Sequence, residues 1–191
     1  MKWLLLLTAA WPAVAQVELH LTFGVLQKVI GAQVFTEDGR KYVKGTKDKR
    51  CSFAYLENPR VGEADGRLVV RAKFSGRSAM TVLGQCVGLG DSFEVVVRMT
   101  PYAEKSLLRI REVEVTSDGK RGMYARAVCK QLAATIPRVL IYDFAPEFKR
   151  ALEAEHPGVP FRKSVDDLVV QAMRVSKEAL VLQLGLKLTL R

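Results

Sequence analysis

Hydrophobic and polar residues alternate along the end of the chain, in the stretch "LVLQLGLKLTLR" at residues 180–191. Successive side chains of a β-strand point to opposite faces, whereas a helix would scatter these leucines around its axis. The pattern therefore predicts a long strand with one apolar side. We call that side the leucine face, and it consists of Leu180, Leu182, Leu184, Leu186, Leu188 and Leu190.

The same alternation predicts further strands near residues 67–77, 92–100, 107–116 and 167–175. Strands with one apolar and one polar side are typical of an antiparallel sheet that covers a core on one side. In "LLRIREVEVT" the alternation changes phase between Ile110 and Val113, which predicts a β-bulge. At about 3.4 Å per residue the last strand would be roughly 37 Å long, so we expect an elongated sheet.

Two other segments repeat apolar residues at the helical period. Residues 23–34 carry one apolar face, with Gly31 as a candidate helix end, and the turn "EDGR" at 37–40 then predicts a small hairpin. Residues 122–155 predict a helix interrupted by Pro137 and a second helix with Pro146 in its first turn. The apolar positions are Phe23, Leu26, Ile30 and Val34 in the first segment and Tyr124, Val128, Leu132 and Ile136 in the second. The predicted class is α+β, with a long, highly curved antiparallel β-sheet wrapped around amphipathic helices.

Composition indicates one globular domain, and the N-terminal pattern indicates export. The chain has 191 residues, of which 49% are hydrophobic and 26% charged. Its opening, "MKWLLLLTAAWPAVAQ", has the layout of a secretory signal cleaved after Ala15, with a buried N-terminal strand or helix as the alternative. No later segment approaches the roughly 20 apolar residues of a membrane-spanning helix. We expect residues 1–15 to be a signal peptide, residues 16–191 to form a single domain, and the mature protein to be soluble in the periplasm or secreted.

Three cysteines leave at least one thiol unpaired in a monomer, and export favours a disulfide between the other two. Cys51 opens a strand-like run and Cys86 lies among turn residues, whereas Cys129 lies on the apolar face of a predicted helix. We expect a Cys51–Cys86 disulfide, with Cys129 as a small buried hydrophobic residue. Three free thiols remain the alternative, because sequence does not give Cα separations.

The sequence offers no residues for enzymatic chemistry. His20 and His156 are far apart and lack partners at metal-binding or triad-like spacing. "GLGD" at 88–91 lacks the GK[ST] that follows the glycines of a phosphate-binding loop, so it predicts a turn. We therefore expect a protein that is not an enzyme and uses neither a cofactor nor a metal.

The order of the elements resembles a known superfamily. An amphipathic helix and a hairpin precede "CSFAYLENPRV", "DGRLVVRAKFSGR" and "CVGLGDSFEVVV", and an outer strand, a helix and a long last strand follow. This order is similar to that of the tubular lipid-binding (TULIP) superfamily, which includes bacterial envelope members and the bactericidal/permeability-increasing type proteins. The resemblance covers residues 17–191 and implies a single-module envelope protein. In that superfamily apolar lipid tails occupy the space between a long helix and a curved sheet.

Two functions are consistent with these apolar faces. One is a non-enzymatic carrier that binds a lipid or another apolar small molecule in a groove, as ligand pockets are concave and mostly apolar. The other is a packed structural or interaction domain that scaffolds an envelope complex without a ligand, since protein interiors fill to crystal-like density. For the carrier, the candidate ligand-contacting residues are Leu26, Ile30, Val70, Phe74, Val95, Val97, Leu182, Leu184, Leu186 and Leu188.

The chain has a formal charge of +10. Part of this excess lies in residues 40–50, "RKYVKGTKDKR", which contain six basic residues and one acidic residue. We call this stretch the basic segment. Tyr42 is its one aromatic residue, so it lacks the stacking platforms of a single-strand nucleic-acid binder, and we expect no nucleic-acid partner. Anionic lipid headgroups suit such a segment, and charge that serves solubility alone is the alternative. The oligomeric state is left open.

Overall fold

A computed structural model describes residues 15–119, 122–154 and 162–190 of the chain. The predicted α+β class is confirmed, with three helices and antiparallel strands in the described residues. The helices are α1, Phe23–Val34; α2, Met123–Val139; and α3, Ala145–Glu153. The strands are β1, Ala15–Thr22; β2, Arg40–Lys44; β3, Ser52–Ala64; β4, Arg67–Val82; β5, Gln85–Glu104; β6, Leu107–Ser117; β7, Tyr142–Asp143; β8, Lys163–Val175; and β9, Ala179–Leu190.

The strands form two antiparallel sheets, whereas the sequence suggested one. The larger sheet has the order β2-β3-β4-β5-β6-β7 and curls as a half barrel around the helices. The smaller sheet has the order β1-β9-β8, so the leucine face belongs to it and not to the half barrel. The backbone N–H of Val170 donates to the carbonyl of Lys105 at 3.1 Å and joins the two sheets.

The helices form where the apolar spacing predicts them, but α1 does not end at Gly31 and α2 is not interrupted at Pro137. Helix α1 continues past Gly31 to Val34. Helix α2 contains Pro137 in its last turn and ends at Val139, so the proline lies just before the helix end and does not split it. Helix α3 has Pro146 in its first turn, as predicted, where the missing N–H of proline costs no intrahelical bond.

The predicted turn at "EDGR" is confirmed, although its flanks differ from the prediction. Asp38 and Gly39 have φ values of 53° and 74°, the pair of positive values that a type I′ turn requires. The residues before the turn end helix α1 instead of forming a strand, and β2 pairs with β3. The first half of the basic segment is therefore a strand, and residues 45–50 lead from it toward β3.

The predicted bulge in β6 is confirmed. Arg98 of β5 pairs with Glu114, whereas Thr100, two positions on, pairs with Arg111, so β6 contains one extra residue there. Glu112 lies in this stretch with φ of 53°. The extra residue shifts the side-chain alternation, which is the phase change seen in the sequence.

"GLGD" lies within β5 and is not a turn, which corrects the prediction. A Cβ added at Gly88 would collide with the carbonyl oxygen of Ser78 and with Ala79 on β4. The glycine therefore allows two strand backbones to approach closely, and it does not serve chain reversal.

The predicted disulfide between Cys51 and Cys86 is confirmed, with a Cα–Cα distance of 5.1 Å. Cys129 is a buried free cysteine on α2, also as predicted, and burial raises the pKa of its thiol. The predicted signal peptide falls almost entirely on residues 1–14, outside the described residues, and β1 begins at Ala15. None of the described helices combines the length and the apolar character that crossing a membrane requires.

Apolar side chains gather in two cores. The first lies between the half barrel and helices α1 and α2 and includes Phe74, Val95 and Leu132. The second lies between the smaller sheet and α3 and includes Leu182 and Phe144. Leu26 on α1 packs against both cores, so the first helix connects them.

Candidate functional site

A cavity of about 340 Å³ lies between helix α2 and the inner face of β2, β3 and β4. Helix α2 packs against β6, on the opposite side of the half barrel from β2. The space that this packing leaves in front of the first three strands is the cavity. We call it the α2 cavity.

The base of the α2 cavity is apolar and buried. Ala54, Leu56, Phe74 and Leu132 line it and are each at most 8% exposed. Helix α2 supplies one face, with residues at successive spacings of three and one, which is the spacing of a single helical side. The lining residues of that helix are Tyr124, Ala127, Val128, Gln131, Leu132, Thr135 and Ile136.

Polar and basic side chains line the outer part of the cavity. Lys44, Arg77, Gln131 and Thr135 are exposed lining residues, and Lys41 is a half-buried one. Two of these bases belong to the basic segment, so the strand that begins it also borders the cavity. The arrangement is an apolar base with hydrogen-bond donors and positive charge at the edge.

Tyr124 covers the end of the cavity nearest the β4–β5 hairpin. Its ring lies 6.2 Å from that of Phe74, and a Cβ added at Gly76 would lie 2.7 Å from its hydroxyl oxygen. The absence of a side chain at Gly76 therefore allows the tyrosine to lie over the strand. Burial, and then the negative charge of Asp91, raise the pKa of Tyr124, so its hydroxyl is a neutral donor at physiological pH.

The predicted ligand-contacting residues are divided among different environments. Phe74 lines the α2 cavity, and the other predicted residues of helix α1 and the half barrel pack in the first core. On β9, Leu182 and Leu184 are fully buried in the second core and Leu186 packs against it. Leu188 is 43% exposed and lies outside that core. The residues in the first core are Leu26, Ile30, Val70, Val95 and Val97. Whether any of the ten contacts a ligand stays a prediction.

The residues of α2 that line the cavity were not among the predicted ligand-contacting residues. The apolar stripe of α2 was recognised from its spacing, and Tyr124, Val128, Leu132 and Ile136 all line the cavity. Spacing alone gives the stripe but not the strands that it faces. The small residues Ala54 and Ala127, which line the cavity from β3 and α2, are the further signal, since they leave room that larger side chains would fill.

Within the described residues, no three His, Cys, Asp or Glu side chains are placed so that they could bind a metal ion together. His20 is an exposed residue whose Nε2 lies 3.2 Å from Glu18, and His156 lies outside the described residues. Burial is the main reason why the pKa of Tyr142 is raised to about 12, but Tyr142 lies beside α3 and does not line the α2 cavity.

Comparisons with known proteins yield a distant structural similarity and no sequence match. No family model matches the sequence, and no curated protein matches it. A crystal structure of lipopolysaccharide binding protein overlays with 92% of this chain and 50% of its own, at 13% identity and a TM-score of 0.35. The chain thus spans about half the length of that protein. At this level of similarity the overlay assigns neither a ligand nor an activity.

Proposed function

We propose that the protein binds a lipid or another apolar small molecule in the α2 cavity, without enzymatic chemistry. The observation that carries the proposal is the cavity itself, a concave apolar space with a few polar groups at one edge. Small-molecule sites have this composition and volumes of roughly 300–1,000 Å³. The TULIP-like element order supports the same function, because that superfamily holds apolar tails between a helix and a curved sheet.

The ligand class follows from the size and the charge of the cavity. A volume of about 340 Å³ is near the lower limit for ligand sites, which favours a single apolar chain. Lys41, Lys44 and Arg77 at the edge favour an acidic headgroup, since a positive side chain and an anionic oxygen form a charge-assisted hydrogen bond. A fatty acid or another single-chain anionic amphiphile fits both features.

We place this function in the periplasm or outside the cell. The signal-like residues 1–15 and the Cys51–Cys86 disulfide support export, since disulfides persist in oxidising compartments. N-terminal sequencing of the mature protein should find Gln16 first. The second candidate is a packed interaction domain, which is favoured by the closed second core around Leu182 and Leu184.

Blocking the cavity tests the proposal. Ala127 lines the cavity from an exposed position on α2, so Ala127→Phe should place a ring in the ligand space with little effect on folding. Binding of a fluorescent fatty-acyl probe should weaken by about tenfold or more, which corresponds to about 1.4 kcal/mol.

Ala134→Phe is the matched control. Ala134 is exposed on the same helix but does not line the cavity, so the same substitution should leave probe binding unchanged. Equal binding by the two variants, or no binding by the wild-type protein, would contradict a ligand site in the α2 cavity.

A further inference from the structure

The turn end of the β4–β5 hairpin is apolar and exposed. We define the apolar hairpin as residues 78–90, "SAMTVLGQCVGLG", a stretch without any charged residue. Strand β3 begins opposite its base, where Ser52 pairs with Ser78, so the hairpin extends beyond the rest of the sheet. Its large hydrophobic side chains are exposed: Leu83 99%, Leu89 81%, Met80 75%, Val87 59% and Val82 47%.

Leu83 at the turn is unfavourable both for the turn and for solubility. Leu83 and Gly84 have φ values of 48° and 79°, the two positive values of a type I′ turn. Asn and Asp tolerate the first of these positions, whereas a leucine there is sterically disfavoured. The chain uses Asp-Gly with the same signs of φ at residues 38–39 and 65–66. Neither folding nor solvation accounts for a leucine at this third turn.

The apolar hairpin continues the inner face of the half barrel. Met80 follows Phe74 at an even spacing on β4, and its cross-strand partner Val87 points to the same side. Ser78, at the base of the hairpin, lines the α2 cavity. The apolar surface therefore runs from the cavity edge to the turn, past the part of the sheet that α2 covers.

The basic segment lies beside the apolar hairpin. Cys51 directly follows the basic segment and is joined to the hairpin by its disulfide with Cys86. The Thr81 hydroxyl of the hairpin also donates to Cys51 Sγ at 3.4 Å. Within the segment, Lys47 pairs with Asp38 at 2.5 Å and Arg40 pairs with Glu57 at 3.2 Å. Arg50 directly precedes Cys51 and Arg77 directly precedes Ser78, and both bases are exposed. Lys44 and Lys49 of the basic segment are exposed as well.

We propose that the apolar hairpin inserts into the headgroup region of an anionic lipid bilayer, with the basic segment on the membrane surface beside it. Exposed apolar side chains next to bases are the combination that binds such an interface. The other occupant for an exposed apolar end is a second copy of the chain. Each copy has a formal charge of +10 and the same basic segment, so two hairpins that met would bring like charges together.

Co-sedimentation of the full chain with phosphatidylcholine vesicles, with and without phosphatidylserine, tests the proposal. The wild-type protein should bind the vesicles that contain phosphatidylserine, and added salt should weaken binding. Leu83→Asn should weaken it about tenfold or more by removing the most exposed leucine. Because asparagine suits the type I′ turn, the melting temperature should be unchanged or higher.

Two variants separate the apolar and the electrostatic contributions. Lys49→Gln with Arg50→Gln should weaken binding about fivefold per base and reduce its dependence on salt. Ile141→Asn removes a 46%-exposed side chain outside the hairpin and should change binding little. Ala127→Phe should still bind vesicles, so failure of the cavity function would not be mistaken for failure of membrane docking.

Two results would overturn the proposal. One is equal vesicle binding by wild-type protein and Leu83→Asn, or no binding by either. The other is a wild-type dimer that Leu83→Asn converts to a monomer without any vesicle binding, which would assign the hairpin to a second copy of the chain.

Discussion

Leu184 has no exposed surface and packs in the second core with Leu182 and Phe144. Replacing Leu184 by aspartate would bury a carboxylate without a partner, which costs several kcal/mol. A small domain has only about 5–15 kcal/mol of stability, so Leu184→Asp should unfold the protein or nearly do so. Urea unfolding followed by circular dichroism measures the effect.

Gln183→Asp is the control for this substitution. Gln183 is the preceding residue on β9 and is exposed, so the new carboxylate stays in water and stability should change by about 0.5 kcal/mol or less. A Leu184→Asp variant as stable as the control would mean that the leucine face is open to solvent and not a packed core.

Tyr142 provides a pH-dependent test at a single residue. Burial first, and then the hydrogen bond that its hydroxyl donates to Glu147, raise the pKa of Tyr142 from 10.0 to about 12. A raised pKa means that the folded state favours the protonated phenol. Its contribution to stability is therefore complete below the unfolded pKa of about 10 and is lost as the pH rises through about 12.

As the pH rises over this range, the free energy of unfolding should decrease less in Tyr142→Phe than in the wild-type protein. Titration by phenolate absorbance should also show that the last tyrosine to ionise in the wild-type protein is missing from the variant. Ionisation of Tyr142 at its ordinary pKa of 10.0 would contradict the geometry beside α3.

At the scale of elements, the Cys51–Cys86 disulfide joins the start of β3 to the apolar hairpin. It closes a loop of 35 residues, for which chain entropy predicts about 3–4 kcal/mol of stabilisation. The double variant Cys51→Ser, Cys86→Ser should lose that amount in urea unfolding under oxidising conditions. A reducing agent should lower the stability of the wild-type protein to that of the variant, and an unchanged wild-type protein would contradict the bridge.

Elements were predictable where one local rule determines the structure. The spacing of apolar residues gave α1 and α2, the phase change gave the bulge in β6, and Pro146 gave the start of α3. The errors occurred where glycine and proline have more than one role. Gly31 is tolerated inside a helix, Pro137 lies in a last turn, and Gly88 permits close strand approach.

At the scale of the whole molecule, pairing between distant segments was beyond sequence reasoning. The leucine face predicted a long apolar strand, but its partners β1 and β8 determine that it belongs to the smaller sheet. Leu184 pairs with Val17, which is far away in sequence. No periodicity within either segment encodes that pairing, so the division into two cores was not predictable.

The position of the α2 cavity was not predictable either, because it depends on packing between distant segments. The stripe on α2 was predicted, but its packing against β6 leaves a space in front of β2, β3 and β4. That space depends on the curl of the half barrel and on small residues contributed by separate elements. Of the ten residues predicted to contact a ligand, Phe74 lines the cavity.

Native mass spectrometry of the protein purified without detergent tests the central claim most directly. The account predicts one bound single-chain anionic amphiphile per chain, identified after solvent extraction and reduced or absent in Ala127→Phe but retained in Ala134→Phe. A wild-type chain that is recovered without bound lipid, and that takes up no fatty acid when one is supplied, would contradict a ligand-binding function for the α2 cavity.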